Sequence, residues 1–374
     1  MRFAHLADTH LGFRQYGLSE REEDFYQAFE DVIAKIIQER PDFVVHSGDL
    51  FDFHRPQPRA LLVAQKCFRL LQERGIPVFT VTGNHDVVLR RGAMPPQVLF
   101  SNFGVRMLTE DEPFIVHKDV FIGGSPYRSR YYANSLLETL EIIAKKSSRY
   151  SKSVLVLHQG IDKFLPQEFE LKLEEVPKNF NYVAMGHIHS RILQDFGRGK
   201  LAYPGSTEMW SVNEYEDYRK HGKGFFLVDL HGDEPDVQPV EIELSRKIIR
   251  ERINAAALNE KLALMKRSYS EMKSRPLVYL DVTGDGFERS ALQEKLVSQL
   301  SDIVLSLRVS YLSPAAERAT AGALARHFSI PDMIAIALKD KHKAGLAEAL
   351  FRSLSENDEE GALEAAENFY GDVK

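Results

Sequence analysis

The segment that most constrains the fold is a short apolar run that ends at a glycine and an aspartate. Residues 43–46 have the length and composition of a strand buried on both faces, and Gly48 ends this strand directly before Asp49. The same pattern, an apolar strand followed at once by Asp, Asn or His, recurs at four other places in the chain. Ligands of open α/β sheets bind at the carboxyl ends of the strands, so the pattern predicts a functional site there.

Strands and helices alternate along the first part of the chain. Strands are expected at 3–7, 43–46 and 77–81, and amphipathic helices at about 20–39 and 58–74 lie between them. This alternation predicts βαβ units around a largely parallel sheet. The short alternating segments that follow predict a second, more antiparallel sheet.

Changes in composition divide the chain into predicted domains. A turn-rich segment that includes Gly232 and Pro235 precedes a region with the pattern β-α-β-α-β, with helices at about 251–272 and 287–300. An alanine-rich linker then leads to short amphipathic helices. The predicted parts are a first domain over 1–235, a small α+β domain over 236–312, a linker over 313–328 and a helical tail over 329–374.

Composition excludes several classes of protein. The formal net charge of −6 gives no global basic surface, so any contact with nucleic acid must come from a local patch. The single cysteine, Cys67, allows no disulfide framework and no cysteine-based zinc site. The chain shows no signal segment and no apolar run long enough to span a membrane, so we expect an intracellular, cytoplasmic protein.

The polar side chains at the strand ends form a candidate metal site. They combine carboxylate, amide and imidazole groups, which suit divalent ions such as Mn²⁺, Fe²⁺ or Zn²⁺. Two ions about 3.5–4 Å apart can clamp a phosphoryl group and polarise an attacking water. Any one of these histidines alone would more often be structural, but their shared context favours two ions with Asp49 between them. The residues are Asp8, His10, Asp49, Asn84, His85, His158, His187 and His189.

The order of these motifs resembles that of the calcineurin-like metallophosphoesterases. The motifs are Asp-x-His, Gly-Asp-x-x-Asp, Gly-Asn-His-Asp, His and Gly-His-x-His. Within that superfamily the chain is similar to the meiotic-recombination-eleven (SbcD-type) nucleases of double-strand-break repair. The resemblance covers essentially the whole chain, and its additional stretches are 6–12, 47–51, 203–206 and 223–225. It implies a four-layer αββα metallophosphoesterase sandwich, a small α+β capping domain that recognises DNA, and a C-terminal helical tail.

The resemblance also implies a role for each motif residue. His85 would not be a ligand, but would stabilise the transition state or protonate the leaving 3′ oxygen. Asp86 would either orient the His85 ring or cap a helix. The ions would be two Mn²⁺, with Mg²⁺, Fe²⁺ or Zn²⁺ as substitutes. One ion would be held by Asp8, His10, Asp49 and His189, and the other by Asp49, Asn84, His158 and His187.

One position departs from the pattern of the nucleases. Many of them have a histidine directly after Gly-Asp-Leu-Phe, and that histidine is associated with exonuclease work on duplex DNA. This chain has Asp52 at that position and His54 two residues further on. In the wider superfamily an aspartate is often found there.

Basic and aromatic residues near the predicted site are candidate DNA contacts. Phosphate binding needs Lys and Arg, and basic residues interleaved with aromatic ones suit sequence-independent contact with a strand. A solvated loop would explain each residue singly as well. The candidates are Arg14, Arg55, Arg59, Arg90, Arg91, Tyr127, Arg128 and Arg130.

The short helices of the predicted tail need a partner for their apolar faces, because helices of this length do not fold alone. In the nucleases that the chain resembles, the corresponding tail docks on the coiled-coil base of an SMC-like ATPase of the SbcC type. Packing back onto the α+β domain is the alternative. Homodimerisation through the first domain and a nucleoid-associated location are further expectations from the resemblance.

The leading hypothesis is a Mn²⁺-dependent DNA nuclease, with 3′–5′ exonuclease activity on duplex DNA and endonuclease activity on single strands. A second hypothesis is a small-molecule phosphodiesterase or phosphatase that uses the same site. A third is a DNA-end-binding scaffold in which catalysis is secondary. A small substrate needs neither a second domain nor a tail that binds a partner, and a scaffold does not need the matched polar residues. The nuclease hypothesis is therefore favoured over both alternatives.

Overall fold

The structure is a computed structural model, and the residues that it describes form most of the chain. They are 1–87, 94–232, 234–284 and 287–312, together with 343, 345–347, 349, 350, 363, 366 and 369. The predicted DNA contacts Arg90 and Arg91, the predicted linker over 313–328 and most of the predicted tail lie outside the described residues.

Two mixed sheets of six strands each form the body of the fold. The first has the order β12-β11-β1-β2-β3-β4, and the second has the order β5-β6-β7-β8-β10-β9. The strands are β1 (Arg2–Leu6), β2 (Phe43–His46), β3 (Val78–Thr80), β4 (Val105–Met107), β5 (Phe114–His117), β6 (Val120–Ser125), β7 (Lys152–His158), β8 (Tyr182–Gly186), β9 (Ile192–Phe196), β10 (Gly199–Tyr203), β11 (Lys223–Asp229) and β12 (Asp236–Ile242). In the first sheet β1 to β4 are parallel, and in the second sheet β6, β7, β8 and β10 are parallel.

The main apolar core lies between the two sheets. Alternate residues of each strand face it, as the period of two requires. Phe43 and Val45 of β2 face this core from the first sheet, and Val154 and Val156 of β7 face it from the second. All four residues of β2 are buried, so both faces of this strand are covered. The strand predicted to be internal is therefore internal.

Helices cover the outer faces of the sheets. They are α1 (Ser19–Glu39), α2 (Pro58–Gln72) and α3 (Ala133–Ser147), and a short helix without buried residues, α4 (Tyr215–His221), precedes β11. Helices α1 and α2 contact each other, and the Phe29 and Phe68 rings meet between them at 6.1 Å. Helix α3 packs on the second sheet through Leu136, Leu140 and Ile143. The predicted four-layer αββα class is confirmed.

The described residues after β12 add one small sheet and two helices. The strands β13 (Ile248–Asn254), β14 (Leu277–Thr283) and β15 (Ser306–Tyr311) form a sheet in that order, and the helices are α5 (Leu258–Ser270) and α6 (Arg289–Leu300). The helix predicted from about 251 was wrong at its start, because 248–254 form an extended strand with buried Ile248 and Ile253 near its ends. Among the described residues, no helix is both long enough and apolar enough to cross a membrane.

The chain divides into two compact units whose limits differ from the predicted domains. The first unit contains Met1–Arg250, Arg267–Val278 and Asp302–Ser306, and the second contains Glu251–Lys266, Tyr279–Ser301 and Leu307–Lys374. Strand β12, which the sequence assigns to the α+β domain, pairs with β11 along its whole length. Inside the second unit, α6 buries Leu292, Leu296 and Leu300. The predicted domain boundaries stay predictions.

A buried arginine ties α1 to the loop that follows β10. Arg21 is 0% exposed, and its guanidinium contacts the carboxylates of Asp24 at 2.7 Å and Glu208 at 3.1 Å. It also donates hydrogen bonds to the Gln15 side chain at 2.8 Å and to the Met209 carbonyl at 3.0 Å. Since a guanidinium has five donors in a fixed plane, one side chain can fix several segments together.

Replacing this arginine should destabilise the fold strongly. Arg21→Met leaves the buried Glu208 without the cation that it faces and leaves Asp24 with Arg246 alone, and removal of one partner from a buried ion pair costs about 3–5 kcal/mol. Chemical denaturation followed by circular dichroism measures the loss. The matched control is Arg59→Met, since Arg59 pairs with Glu23 on the surface and such pairs contribute about 0–1 kcal/mol. Equal effects of the two substitutions would contradict the role given to Arg21.

Candidate metal centre

The predicted strand ends meet at one place in the structure. Parallel strands bring their carboxyl ends to the same edge of a sheet, and the two sheets present these edges side by side. Asp8 and His10 follow β1, Asp49 follows β2, and Asn84 and His85 follow β3. From the second sheet, His158 is the last residue of β7, and His187 and His189 follow β8. All seven predicted ligands are thus brought together.

The backbone at these strand ends is unusual. The φ angles of Asp8, His10, Asp49 and His187 are 53°, 43°, 54° and 91°, which is the left-handed side that residues with a Cβ rarely adopt. Such conformations cost about 1–3 kcal/mol each and persist only where the surrounding structure fixes them. Hydrogen bonds between the loops supply that restraint, for example from the Thr9 N–H to the Asp49 carbonyl at 2.9 Å. The turns therefore aim the side chains at each other.

One set of donors is formed by Asp8, His10 and His189. Their ligand atoms lie within 4.8 Å of one another. The Nε2 atoms of His10 and His189 are 3.1 Å apart, and the Nε2 of His189 is 3.9 Å from the Asp8 carboxylate. Imidazole nitrogens that converge on a carboxylate in this way fit a divalent transition-metal ion.

A second set, around the Asp49 carboxylate, lies beside it. The Nε2 of His158 is 3.2 Å from the Asp49 carboxylate and 3.1 Å from the Asn84 side-chain oxygen. The Nδ1 of His187 is 3.0 Å from the same Asn84 oxygen. The Asp49 carboxylate also lies 3.8 Å from His10 Nε2 of the first set. Asp49 thus lies between His158 and His10, and its role as the shared ligand stays a prediction.

Burial and mutual charge shift the pKa values of these groups. Burial raises the pKa of Asp8. Burial also opposes ionisation of Asp49, but the neighbouring His158 outweighs it and holds the pKa of this carboxyl far below its usual range. Burial would lower the pKa of His158, yet the Asp49 carboxylate raises it to about 9. Buried carboxylates of this kind need cations nearby, and the mixture of oxygen and nitrogen donors fits a pair of borderline divalent ions.

His85 lies at the rim of the centre and is more exposed than the histidines among the predicted ligands. Its side chain is 31% exposed, whereas that of His10 is 0% exposed. Its backbone N–H donates to the Asp49 carboxylate at 2.9 Å, and its ring Nδ1 donates to the Asp52 carbonyl at 2.9 Å. The bond at Nδ1 leaves Nε2 as the ring nitrogen that can exchange a proton with a substrate.

The carboxylate beside the His85 ring belongs to Asp52 and not to Asp86. The Asp52 carboxylate is 3.7 Å from His85 Nδ1 and 3.3 Å from His10 Nδ1. Asp86 is instead fully buried and accepts backbone N–H bonds from Leu50, Phe51 and Gly83 at 3.0–3.2 Å. In the structure Asp86 ties the loop after β2 to the loop after β3, so the predicted contact of Asp86 with the ring is not formed.

Two further side chains of the centre lie outside the predicted set. Trp210 stacks on Phe13 at 5.1 Å, presents its ring to His10 at 6.0 Å, and donates to the Asp52 carboxylate at 3.4 Å. Glu214 contacts Nδ1 of His189 at 3.2 Å. The sequence contains one signal for Glu214, because Ser211 and Glu214 have the spacing of a capping box and form one in the structure.

Most of the predicted DNA contacts are engaged within the chain. Arg14 pairs with Glu22 at 3.2 Å, Arg59 with Glu23 at 2.5 Å and Arg128 with Glu110 at 3.0 Å, and Arg130 lies over the Phe169 ring at 4.5 Å. The Arg14 and Arg59 pairs lie on the surface and exchange readily with solvent, so they leave these two arginines able to bind a phosphate, whereas the Arg128 side chain is only 10% exposed.

Two of the candidates lie close to the centre. Arg55 lines a groove of about 320 Å³ together with Leu11 and Phe53. Tyr127 donates to the Glu170 carboxylate at 3.2 Å, and its ring is 5.9 Å from that of His187. Tyr127 is therefore part of the wall of the centre.

Comparison with known families gives one match that covers the centre. The model of a family described as calcineurin-like phosphoesterase matches residues 1–191. That segment contains every predicted ligand from Asp8 to His189.

Comparison with curated proteins gives relatives along almost the entire chain. A protein of Methanococcus maripaludis is 34% identical over 99% of this chain and 100% of its own length. One of Methanocaldococcus jannaschii is 40% identical over 75% of this chain and 76% of its own length. One of Thermoplasma acidophilum is 32% identical over 98% of both. Each is described as "DNA double-strand break repair protein Mre11".

The close approach of Gly83 to Asp49 gives a test of the centre. A Cβ at Gly83 would collide with the Asp49 carboxylate, so Gly83→Ala should displace the shared donor. We expect Mn²⁺ affinity to fall by about 10–100-fold, the usual effect of disturbing the support of a ligand. Calorimetric titration with Mn²⁺ measures it. Gly232→Ala is the control, because that glycine lies after β11 and a Cβ there would lie 3.3 Å from the nearest atom beyond its chain neighbours, the Glu234 carbonyl oxygen, without a collision. Unchanged affinity in Gly83→Ala would contradict the position of Asp49 in the site.

Proposed function

Because this chain belongs to the calcineurin-like phosphoesterases and, among them, to the Mre11 DNA double-strand break repair proteins, we propose that it hydrolyses phosphodiester bonds of DNA at a dinuclear metal centre. The proposed activities are 3′–5′ exonuclease on duplex DNA and endonuclease on single strands. The observation that carries this proposal is the convergence of two donor sets on the Asp49 carboxylate, with His85 at the rim.

The proposed ligands are those of the two sets. Asp8, His10, Asp49 and His189 would hold one ion, and Asp49, Asn84, His158 and His187 the other. Two divalent ions held there would polarise a water and clamp the phosphate oxygens. We propose Mn²⁺ as the ion, since the imidazole-rich set with carboxylate and amide oxygens suits a borderline cation.

His85 is the proposed proton donor to the leaving 3′ oxygen. Its Nδ1–H is held by the Asp52 carbonyl, so the ring is oriented and Nε2 is left for the substrate. The Asp52 carboxylate, 3.7 Å from the same nitrogen, would stabilise the ring when it is protonated. Asp52 would thus serve the role first assigned to Asp86. It would also support His10, whose Nδ1 lies 3.3 Å from it.

The proposal also includes a substrate surface and partners. The exposed rings of Tyr131 and Tyr132, 77% and 50% exposed, follow Arg128 and Arg130 and would stack on bases of a single strand. The SbcC-type ATPase, the homodimer and the nucleoid-associated cytoplasmic location carry over from the family. The tail proposed to bind the ATPase lies mostly outside the described residues.

Removal of His85 should abolish cleavage and spare metal binding. General acid catalysis contributes about 10²–10⁴-fold, so His85→Ala should lower kcat on linear DNA in Mn²⁺ by about that factor. Cleavage of end-labelled duplex and single-stranded DNA measures the rate, and calorimetric titration should still find two Mn²⁺. His231→Ala is the control, since that histidine is on the surface beside Asp229.

Three other results of these assays would contradict parts of the proposed function. Full activity of His85→Ala would overturn the proton-donor role. Hydrolysis of a small chromogenic phosphodiester with DNA left intact, also after addition of the ATPase partner, would overturn the nuclease in favour of a small-molecule phosphodiesterase. DNA-end binding without any cleavage would favour the scaffold.

A further inference from the structure

We propose that Glu214, held in place by Lys223 and Ser206, is the positioning residue that sets the orientation of His189 and hence the affinity for one of the two ions. This inference rests on the proposed function, because it assigns His189 to the ion also held by Asp8 and His10. Glu214 itself would not touch the ion or the substrate.

The Glu214 carboxylate contacts the His189 ring directly. One oxygen of Glu214 is 3.2 Å from His189 Nδ1 and also accepts the Ser211 N–H at 2.8 Å. A carboxylate accepts only, so Nδ1 carries the proton and Nε2 carries the lone pair. That Nε2 faces His10 Nε2 at 3.1 Å and Asp8 at 3.9 Å. Glu214 thus fixes the tautomer in which His189 can bind an ion.

The Glu214 carboxylate is itself held by hydrogen bonds. Its other oxygen accepts from Lys223 Nζ at 2.5 Å and from the Ser206 hydroxyl at 2.9 Å. Glu214 and Lys223 are only 6% and 2% exposed, so the pair is shielded from water. The same ammonium also donates to Ser206 at 2.6 Å and to the His189 carbonyl at 3.3 Å. Lys223 therefore holds both the carboxylate and the backbone of the histidine.

The backbone around His189 brings the supporting side chains together. The loop after β10 passes so close to His189 that a Cβ at Gly205 would lie 2.7 Å from the His189 carbonyl, and Gly205 has φ +78°. This passage brings the Ser206 hydroxyl to Glu214, while Lys223 opens β11. Glu214 precedes α4. Three separate segments thus meet at the Glu214 carboxylate, which in turn contacts the His189 ring.

The second ion should be independent of this group. His158 is oriented differently, by a hydrogen bond from its Nδ1 to the Ser47 carbonyl at 2.8 Å. The Nδ1 of His187 contacts Asn84 at 3.0 Å. A change at Glu214 should therefore weaken one ion and spare the other, whereas a general loss of structure would weaken both.

The experiment is a calorimetric Mn²⁺ titration of the full chain and its variants. Glu214→Gln keeps the shape and removes the charge, and should weaken one of two ions about tenfold. The double variant Glu214→Leu with Lys223→Met removes the buried charges together, so it avoids an unpaired ion, and should weaken the same ion by about 10–100-fold. Glu216→Gln is the control, because Glu216 is exposed and pairs with Arg219 at 3.9 Å.

The outcomes separate this inference from the proposed function. Binding of two Mn²⁺ in the wild type, with a lower affinity for only one of them in both variants, would support the role of Glu214. Wild-type affinity for both ions in Glu214→Gln and in the double variant, or equal weakening of both ions, would overturn it. If the double variant does not fold, Glu214→Gln decides alone. Absence of two Mn²⁺ sites in the wild type would overturn the proposed function, and this inference with it.

Discussion

The carboxylate of Asp49 is the constraint on which the centre depends. It is almost fully buried, contacts His158 of the second sheet, and accepts the His85 N–H of its own sheet. A buried charge must be compensated, so groups from both sheets have to reach it. Three features bring those groups to one carboxylate. They are the shared edge of the strand ends, the absence of a side chain at Gly83 and the hydrogen bonds between loops.

The fold class and the meeting of the candidate ligands at one place were predictable because strand-end chemistry is a local signal. An apolar strand followed by Asp, Asn or His is visible in any short window, and the parallel arrangement then brings the ends together. The membership of the calcineurin-like phosphoesterases, suggested by the order of these motifs, is confirmed by the match over residues 1–191. The internal position of β2 followed from its continuous apolar run in the same way.

The supporting residues were not predictable, because their contacts join segments that no periodic pattern relates. Glu214 meets His189 through a loop and Lys223 through a helix, and no period or spacing indicates these contacts. For Asp86, proximity in the sequence was misleading. It follows His85 directly, but its carboxylate accepts the backbone N–H groups of Leu50 and Phe51. Two strands, β9 and β13, escaped prediction because charged and exposed residues interrupt their apolar pattern.

The left-handed backbone at Asp8, His10, Asp49 and His187 has a consequence for how this centre can change over evolutionary time. Asp, Asn and His are among the few residues with a side chain that tolerate this conformation, and they are also the residues that bind divalent ions. Backbone and chemistry therefore select the same residue types. A descendant that no longer needed the ions would still be held to Asp, Asn, His or Gly at these positions, because β-branched replacements would strain the turns. An intact set of ligand types at these four positions is therefore weaker evidence of activity in a distant homologue than the identity of His158 or His189, whose backbone imposes no such choice.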